Sequence, residues 1–460
     1  MYKVDFSKKT WIHFIGIGGI SMSALAEILL SKGFKVSGSD NKESDITKHL
    51  QKQGAEVSYP QSADNISSNI DVVVYTAAIH PDNPEFKAAK DAGLHMLTRA
   101  EFLGQLMKNY EIAIGISGTH GKTTTTSMLS EILLEADTDP TILVGGMLNR
   151  IGGNYRVGQS GTFITEACEY TNSFLSFSPT LGVILNVKED HLDFFKDIDD
   201  IRHSFRRYAE LIPADGALVI NGDIDDVSYF TDGLDCRVYT YSTSNPDCNY
   251  YAANITYDEF ARGEYDLVKD KEVIGHIKLG VTGEHNVSNS LAAIAAAMVL
   301  GISLPTIQAG FLAYTGTDRR FQYKGKLHGV TIIDDYAHHP DEIMATLSAA
   351  KRYPHKKLWV VFQPHTYTRT KALFDRFASA LSNADAVILA DIYAARETDT
   401  LGVSSRQLSE AIKKLGTESY YFPSFDEIEN FILENCIDGD MLITMGAGDV
   451  VLIGNELLGE

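Results

Sequence analysis

The chain reads as a three-domain α/β protein: a Rossmann-like N-terminal domain, a central P-loop ATPase domain with a mainly parallel sheet, and a C-terminal Rossmann-like α/β domain. Three observations carry that expectation. Strand-like apolar runs alternate with helix-like segments along all 460 residues, the pattern of parallel sheets with crossover helices. Two glycine-rich turns, at residues 16–19 and 118–121, each follow such a strand and open such a helix. The length exceeds what one hydrophobic core organises and points to roughly two to four domains.

Taken in order, residues 11–15 form a strand, 16–19 a tight turn and 21–31 a helix. Residues 35–39 are a second strand that ends in Asp40, 72–76 a third, and 100–107 a helix. A boundary near residue 108 closes a first domain, 1–108. The next block opens at Glu111 with a strand at 112–116 and continues through strands at 162–165, 181–186 and 217–221. The Ala-rich helix 289–300 closes it, and the polar stretch from Tyr314 to Arg320 reads as a linker. The central domain is therefore 109–318 and the last 319–460. Strands at 330–333, 358–362, 386–389 and 441–444, with helices between them, fill the last domain. No heptads, fixed-period repeats or low-complexity tracts interrupt this order.

Composition narrows the function classes. Hydrophobic content of 44% and charged content of 22% are ordinary for a soluble globular protein. A net charge of −21 argues against nucleic acid as a partner, because phosphate contacts need clustered Lys and Arg. Cys168, Cys236, Cys248 and Cys436 are scattered without C-x-x-C spacing, as expected of incidental thiols in a reducing cytoplasm. The first ten residues carry no apolar signal core, and the longest apolar stretch, 291–300, is too short to span a bilayer. No membrane role is expected.

Gly118-Thr119-His120-Gly121-Lys122-Thr123-Thr124 carries the most chemistry. A strand that ends in a glycine-rich turn and opens a helix directs backbone N–H groups and the positive end of the helix dipole at one point, where an anion is held. Lys122 would reach the β- and γ-phosphates, and the Thr123 hydroxyl would ligate Mg²⁺. Ile116 stands where the strict Walker pattern has its first glycine, so this is the shorter G-T-x-G-K-T form. A helix N-cap beside an exposed lysine is the plain alternative. ATP is the expected ligand.

Gly16-x-Gly18-Gly19 after a strand, with Asp40 about twenty residues on, has the look of a dinucleotide fingerprint. Its third position is Ser21 and not Gly or Ala. Any diphosphate can use such a turn, since backbone amides recognise phosphate and not the base. A nicotinamide oxidoreductase needs no second, lysine-bearing phosphate loop. Both turns together point to an ATP-driven ligase that acts on a nucleotide-linked molecule.

Ligands of open α/β sheets collect at strand C-termini, so the loops after 165 and 186 face the P-loop. Glu166, with Glu169 as its rival, and the Asp190-His191 pair are the candidate metal residues. Imidazole is an unusual ligand for a hard cation, and a lone loop histidine is ordinarily solvated or hydrogen-bonded. Gly283-Glu284-His285-Asn286-Val287-Ser288-Asn289 reads either as a polar loop that ends in an N-cap at Asn289, or as an adenine-contacting loop. In the last domain Asp335-Tyr336-Ala337-His338-His339 and His365-Thr366-Tyr367-Thr368-Arg369 follow successive strands and build one polar surface. His, Tyr and Arg together suit a small zwitterion, with Arg369 meeting its carboxylate. A zinc site there is disfavoured, because adjacent histidines do not easily face one metal.

In this ordered set the chain resembles the Mur ligase family. The resemblance runs over essentially the whole length: His13-Phe-Ile-Gly-Ile-Gly-Gly-Ile20, Gly38-Ser39-Asp40, Thr98-Arg99-Ala-Glu101, the P-loop, Glu166, Asp190-His191, Gly283-x-His285-Asn286, Arg319-Arg320-Phe321, Asp334-Asp335-Tyr336-x-His338-His339-Pro340 and Phe362-Gln-Pro-His365. It implies a cytoplasmic enzyme of peptidoglycan synthesis that joins L-alanine to the lactyl carboxylate of UDP-N-acetylmuramate. ATP and Mg²⁺ serve that reaction, and a monomer or weak homodimer carries it. A ligase that recycles a whole peptide onto the same UDP-sugar is the near alternative, and a P-loop kinase or NTPase the distant one.

By the same resemblance Gly16, Gly18, Gly19, Ser39, Asp40 and Arg99 serve the UDP-sugar. Gly118, Thr119, His120, Gly121, Lys122, Thr123 and Thr124 serve ATP, with His285, Asn286 and Asn289 at adenine or ribose and Arg320 and Asp335 approaching from the last domain. Thr123, Glu166 and His191 hold metal. Tyr336, His338, His365 and Arg369 surround the amino acid, with Lys122, His338 and Arg369 as the catalytic set. Three positions depart from the family's pattern: Ser21 replaces a usual Gly, Cys168 stands where many members have Asp, and Thr366 where several have Arg.

Overall fold

A computed structural model describes residues 2–76, 78–192, 194–395, 397–398 and 401–460. Three sheets follow one another along the chain. The first holds β1 (Trp11–Ile15), β2 (Lys35–Ser39), β3 (Glu56–Ser58), β4 (Val72–Tyr75) and β5 (His95–Thr98) in the order β3-β2-β1-β4-β5. All its pairings are parallel.

The second sheet has ten strands: β6 (Ile112–Ser117), β7 (Thr141–Leu148), β8 (Gly153–Arg156), β9 (Thr162–Glu166), β10 (Leu181–Ile184), β11 (Ala217–Asn221), β12 (Arg237–Ser242), β13 (Tyr250–Tyr257), β14 (Arg262–Lys269) and β15 (Glu272–Thr282). Their order is β15-β14-β13-β12-β11-β10-β6-β9-β7-β8. The stretch from β13 to β7 is parallel, and antiparallel strands extend it at both ends. The third sheet holds β16 (Gln322–Leu327), β17 (Val330–Asp335), β18 (Leu358–Phe362), β19 (Ala386–Leu389), β20 (Glu418–Tyr421) and β21 (Met441–Met445) in the order β16-β17-β21-β18-β19-β20. Only β16 runs antiparallel to its neighbour. The expected α/β class with mainly parallel sheets is thus what the chain forms.

Each strand the sequence pattern forecast is present, with small shifts at the ends. The hairpin of β7 and β8 and the meander β13–β15 went unforecast. One helix differs usefully: it runs His285–Val299 and not 289–300. Asn289 therefore lies a full turn inside the helix, and the reading of it as an N-cap is overturned.

The first two units share an apolar core in which Phe14 and Phe102 join Phe163, Phe174 and Tyr208. Their contact depends on Gly104, in the helix Arg99–Met107, where a Cβ would overlap the Ser176 carbonyl. The third unit has its own cores around Val360 and Trp359. It meets the second through charged pairs such as Arg352–Glu284 and Arg369–Asp190 and through ring contacts such as Phe260–Tyr353. All four cysteines are free. Among the described residues no helix is long and apolar enough to cross a membrane.

Candidate active site

The P-loop is built by strand β6, whose last residue Ser117 donates its hydroxyl to the Val183 carbonyl at 2.6 Å. Gly118 and Gly121 have φ of +144° and +87°, values that L side chains rarely adopt. A Cβ on Gly121 would also lie 2.5 Å from Asn289 Oδ1. Asn186, just beyond β10, clamps the loop: its Oδ1 accepts from His120 N–H and its Nδ2 donates to His120 O, each at 2.9 Å. The helix Lys122–Glu135 starts at once, so its unpaired amides and positive dipole end lie at the loop.

Lys122 folds back over this turn. Its Nζ lies 2.6 Å from Gly118 O, 3.1 Å from Thr119 O and 2.9 Å from Glu169 Oε2. Burial works against the ammonium, but Glu169, Cys168 and Glu166 keep its pKa above the usual lysine value. Glu169 is itself buried, and its second oxygen Oε1 has no hydrogen-bond partner. His191 Nε2 stands 3.9 Å from that oxygen and 3.7 Å from Asp190 Oδ2, with its ring stacked on Tyr170 at 4.5 Å. Glu166 accepts from Gly145 N–H at 2.6 Å. The orphaned Glu169 oxygen 3.9 Å from the His191 imidazole, together with the Glu166 carboxylate and the Thr123 hydroxyl that share a cavity lining with that imidazole, offers oxygen donors that suit a divalent cation. Glu169, weighed as the rival of Glu166, stands beside it as a second candidate.

Two cavities meet at this loop. One, of about 310 Å³, is lined by His120, Gly121 and Thr124, by His285, Asn286 and Asn289, and by Arg320 and Asp335. The groups assigned to the nucleotide from three separate stretches of sequence therefore converge. The asparagines are set by the helix: Asn286 Nδ2 donates to Thr282 O at 2.7 Å and Asn289 Nδ2 to Asn286 Oδ1 at 2.9 Å. Asp335 accepts from Ala337 N–H at 2.7 Å and Phe321 N–H at 2.8 Å, while burial pushes its carboxyl up to about 6 against the pull of Arg320.

The other cavity, of about 1070 Å³, draws its lining from all three units. The second unit supplies Lys122, Thr123, Glu166 and His191, and the third supplies Tyr336 and His338. Burial pushes the His338 imidazole down to about 4. His365 stands next to it, ring centroids 6.0 Å apart, and stacks on Tyr393 at 5.7 Å. Arg369 lines a smaller neighbouring cavity with Asp190 and His191, its Nη2 3.6 Å from Asp190 Oδ1. Thr366 between them has φ +64° and ψ +144°, an unusual conformation for a β-branched residue.

The first glycine turn is arranged differently. Gly16 N–H and Ile17 N–H donate to Ser39 O at 2.9 Å, and Gly18 N–H donates to Asp40 Oδ2 at 2.8 Å. Ser39 is fully buried, and its hydroxyl donates to Glu85. None of Gly16, Gly18, Gly19, Ser39, Asp40 or Arg99 belongs to the lining of either cavity at the P-loop. Ile20, Ser23, Asp45, Ile46 and His49 represent the first unit in the larger one instead, and sequence reasoning had given none of them a role. Arg99 is half-buried, and burial pulls its guanidinium pKa down while Cys168 acts the other way.

Sequence reasoning also missed Glu342, which lines both cavities. A cluster of His120, His339 and Asp341 has its potential ligand atoms within 4.8 Å of one another. His339 Nδ1 accepts from Asp341 N–H at 3.3 Å, and the Asp341 carboxylate lies 2.9 Å from Arg376 and 3.7 Å from Lys188, while His120 Nε2 and His339 Nε2 are buried without a hydrogen-bond partner.

Comparison with known proteins covers the same three units. Residues 11–111 match the description "Mur ligase family, catalytic domain", 116–297 "Mur ligase middle domain" and 319–448 "Mur ligase, glutamate ligase domain". A protein of Lachnospira eligens named UDP-N-acetylmuramate–L-alanine ligase is 63% identical over 458 residues, covering 100% of both chains. One of the same name from Agathobacter rectalis is 60% identical over 458 residues, again with 100% of both chains covered. Among solved structures, the UDP-N-acetylmuramate–alanine ligase of Thermotoga maritima superposes with a TM-score of 0.80 at 30% identity, covering 98% of each chain. A murein peptide ligase of Psychrobacter arcticus gives 0.70 at 25% identity over 98% of each.

Proposed function

The chain belongs to the Mur ligase family, and from that premise we propose that it joins L-alanine to the lactyl carboxylate of UDP-N-acetylmuramate, using ATP, in the cytoplasmic stage of peptidoglycan synthesis. The observation that carries this reading is the cavity of about 1070 Å³ reached from all three units, with Lys122 and Thr123 at its P-loop edge. A reaction with three substrates needs such a meeting point. Residues 1–108 serve the UDP-sugar, 109–318 ATP and 319–460 the amino acid, in a monomer or weak homodimer.

Amine and carboxylate do not condense in water at useful rates, so the carboxylate is activated first. The lactyl carboxylate attacks the γ-phosphorus of ATP in line, forming an acyl phosphate and releasing ADP. The L-alanine amine, once deprotonated, attacks the acyl carbon, and the tetrahedral intermediate expels inorganic phosphate. Chemistry of this kind rests on positioning and charge neutralisation more than on a protein nucleophile.

Lys122 neutralises the transferring phosphoryl group. Its partner Glu169 keeps the ammonium charged and in place before ATP arrives. Gly118, Thr119, His120, Gly121 and Thr124 cradle the phosphates, His285, Asn286 and Asn289 hold adenine or ribose, and Arg320 and Asp335 close over the nucleotide. Thr123, Glu166 and His191, with the free oxygen of Glu169, would hold Mg²⁺, which supplies charge neutralisation at the phosphates. Arg369 exchanges Asp190 for the carboxylate of L-alanine, beside Tyr336 and His365. His338, neutral because it is buried, takes the proton from the amine. Arg99 and the turn of Gly16, Gly18, Gly19, Ser39 and Asp40 serve the UDP-sugar.

The test is phosphate release from ATP and Mg²⁺ with UDP-N-acetylmuramate present and each amino acid, or a cell-wall tripeptide, added in turn. Release that requires both the UDP-sugar and L-alanine is expected. Release that ignores the amino acid would leave a P-loop nucleotidase, and preference for the tripeptide a recycling ligase.

A further inference from the structure

Glu342 lies in the first turn of the helix Pro340–Arg352, where an acidic side chain is ordinary company for a helix N-terminus. Its surroundings go well beyond that role. It is only 16% exposed, although it lines both cavities. Its Oε1 lies 3.3 Å from His120 Nδ1 in the P-loop, across 222 residues of sequence. Its Oε2 accepts from the His338 backbone N–H at 3.1 Å and stands 3.3 Å from His338 Nδ1. A single carboxylate thus spans the phosphate loop of the second unit and the histidine with which the third faces the large cavity.

The positions of the protons follow from the donor inventory. Carboxylate and carbonyl oxygens only accept. His338 Nδ1 has two such neighbours, Glu342 Oε2 and the Tyr336 carbonyl at 3.0 Å, so Nδ1 carries the proton and Nε2 keeps its lone pair. His120 Nδ1 likewise donates to Glu342, which leaves its buried Nε2 with a lone pair and no partner. A carboxylate behind an imidazole fixes ring orientation and tautomer wherever that imidazole has work to do at its other nitrogen. Burial opposes the charge on Glu342, yet His338, His120 and Arg320 hold its carboxyl well below the usual range.

We propose that Glu342 is a positioning residue: it holds His338 with Nε2 as the free base and, through His120, registers that base against the phosphate loop. This rests on the reading of His338 as the group that deprotonates the amine. Glu342 touches no reacting atom in this scheme. It ties the alignment of the second chemical step to closure of the third unit over the nucleotide that drives the first.

A double-mutant cycle on kcat tests this, with Glu342→Gln, His338→Gln and the double variant. Glutamine keeps the size, but its amide cannot accept from both histidines. Glu342→Gln is expected to lower kcat about tenfold or more while KM for the UDP-sugar stays put, and Glu342→Asp is expected to recover part of the loss. If Glu342 acts through His338, the double variant is no slower than the slower single one. Losses that multiply would overturn the proposal and leave His338 as base. A full-speed Glu342→Gln beside a slow His338→Gln would do the same. A full-speed His338→Gln would remove the base reading and the proposal with it. Thermal melting of each variant checks the fold, and should Glu342→Gln fail to fold, Glu342→Asp takes its place in the same cycle.

Discussion

Two glycine-rich turns occupy corresponding places in the first and second units, each between an inner strand of its sheet and the helix that follows. Both lie where the strand order reverses, β1 between β2 and β4, and β6 between β10 and β9, which is where open α/β sheets form their crevice. The difference is in charge. The first turn has already given the Gly18 amide to the Asp40 carboxylate at 2.8 Å. The second carries Lys122 and Thr123 and opens onto both cavities. A shared backbone shape therefore marks two sites but not two equal ones. The charge set beside the amides decides whether a turn arrives ready for phosphate.

The largest expected effect comes from removing that charge. Lys122→Ala should abolish turnover, a loss of about a thousandfold or more, since charge neutralisation is the main service a phosphoryl-transfer site supplies. It also strands Glu169 as a buried, unpaired carboxylate, so stability should fall by about 3–5 kcal/mol. Affinity for UDP-N-acetylmuramate, measured by calorimetric titration, should change little. Loss of UDP-sugar binding in a folded Lys122→Ala protein would mean that the two turns serve one ligand, and the comparison would collapse.

A middle-sized effect separates the turns by their packing. Gly121 and Gly16 have nearly the same φ, +87° and +84°, so an alanine at either is strained by about 1–3 kcal/mol. Only at Gly121 does the new methyl also strike another element, 2.5 Å from Asn289 Oδ1, whereas at Gly16 the nearest atom is Thr76 Cγ2 at 3.4 Å. Gly121→Ala should therefore cost more in urea unfolding than Gly16→Ala. It should also weaken ADP binding about tenfold or more, while Gly16→Ala leaves ADP binding alone. Equal losses in both assays would show that backbone strain, and not the contact with Asn289, governs the P-loop.

What the sequence made legible follows the same division. Both turns, their strands and the stretches that converge on the smaller cavity at the P-loop could be read from local pattern, because glycine spacing and apolar runs are local signals. The start of the helix at His285 was misjudged because Asn289 looks like a cap residue and Asn286 falls in what reads as the loop before it. In the fold their side chains bond to Thr282 O and to each other, which no propensity anticipates. The strands β13–β15 at one end of the second sheet escaped because alternation along β14, with Tyr265 and Leu267 inward and Glu264 and Asp266 facing outward, is a weaker signal than a continuous apolar run. Glu342 was invisible for a different reason: its meaning lies in His120, and a pairing across 222 residues leaves no mark in the sequence.

The smallest effect bears on the first turn alone and is the sharpest on what it does. Asp40→Asn keeps an oxygen able to accept from Gly18 N–H but removes the negative charge beside the place assigned to a diphosphate. Repulsion between two such charges about 4 Å apart is worth about 1 kcal/mol under full water screening and about 4 kcal/mol near a protein surface. KM for UDP-N-acetylmuramate should then fall severalfold while KM for ATP holds, and the gain should shrink as salt is raised. If KM for the UDP-sugar rises instead, Asp40 makes a favourable contact with the sugar nucleotide, as its place at the end of β2 allows. If neither constant moves, the diphosphate lies elsewhere, and the lining of the large cavity at Ile20, Ser23 and His49 becomes the better place to look for it.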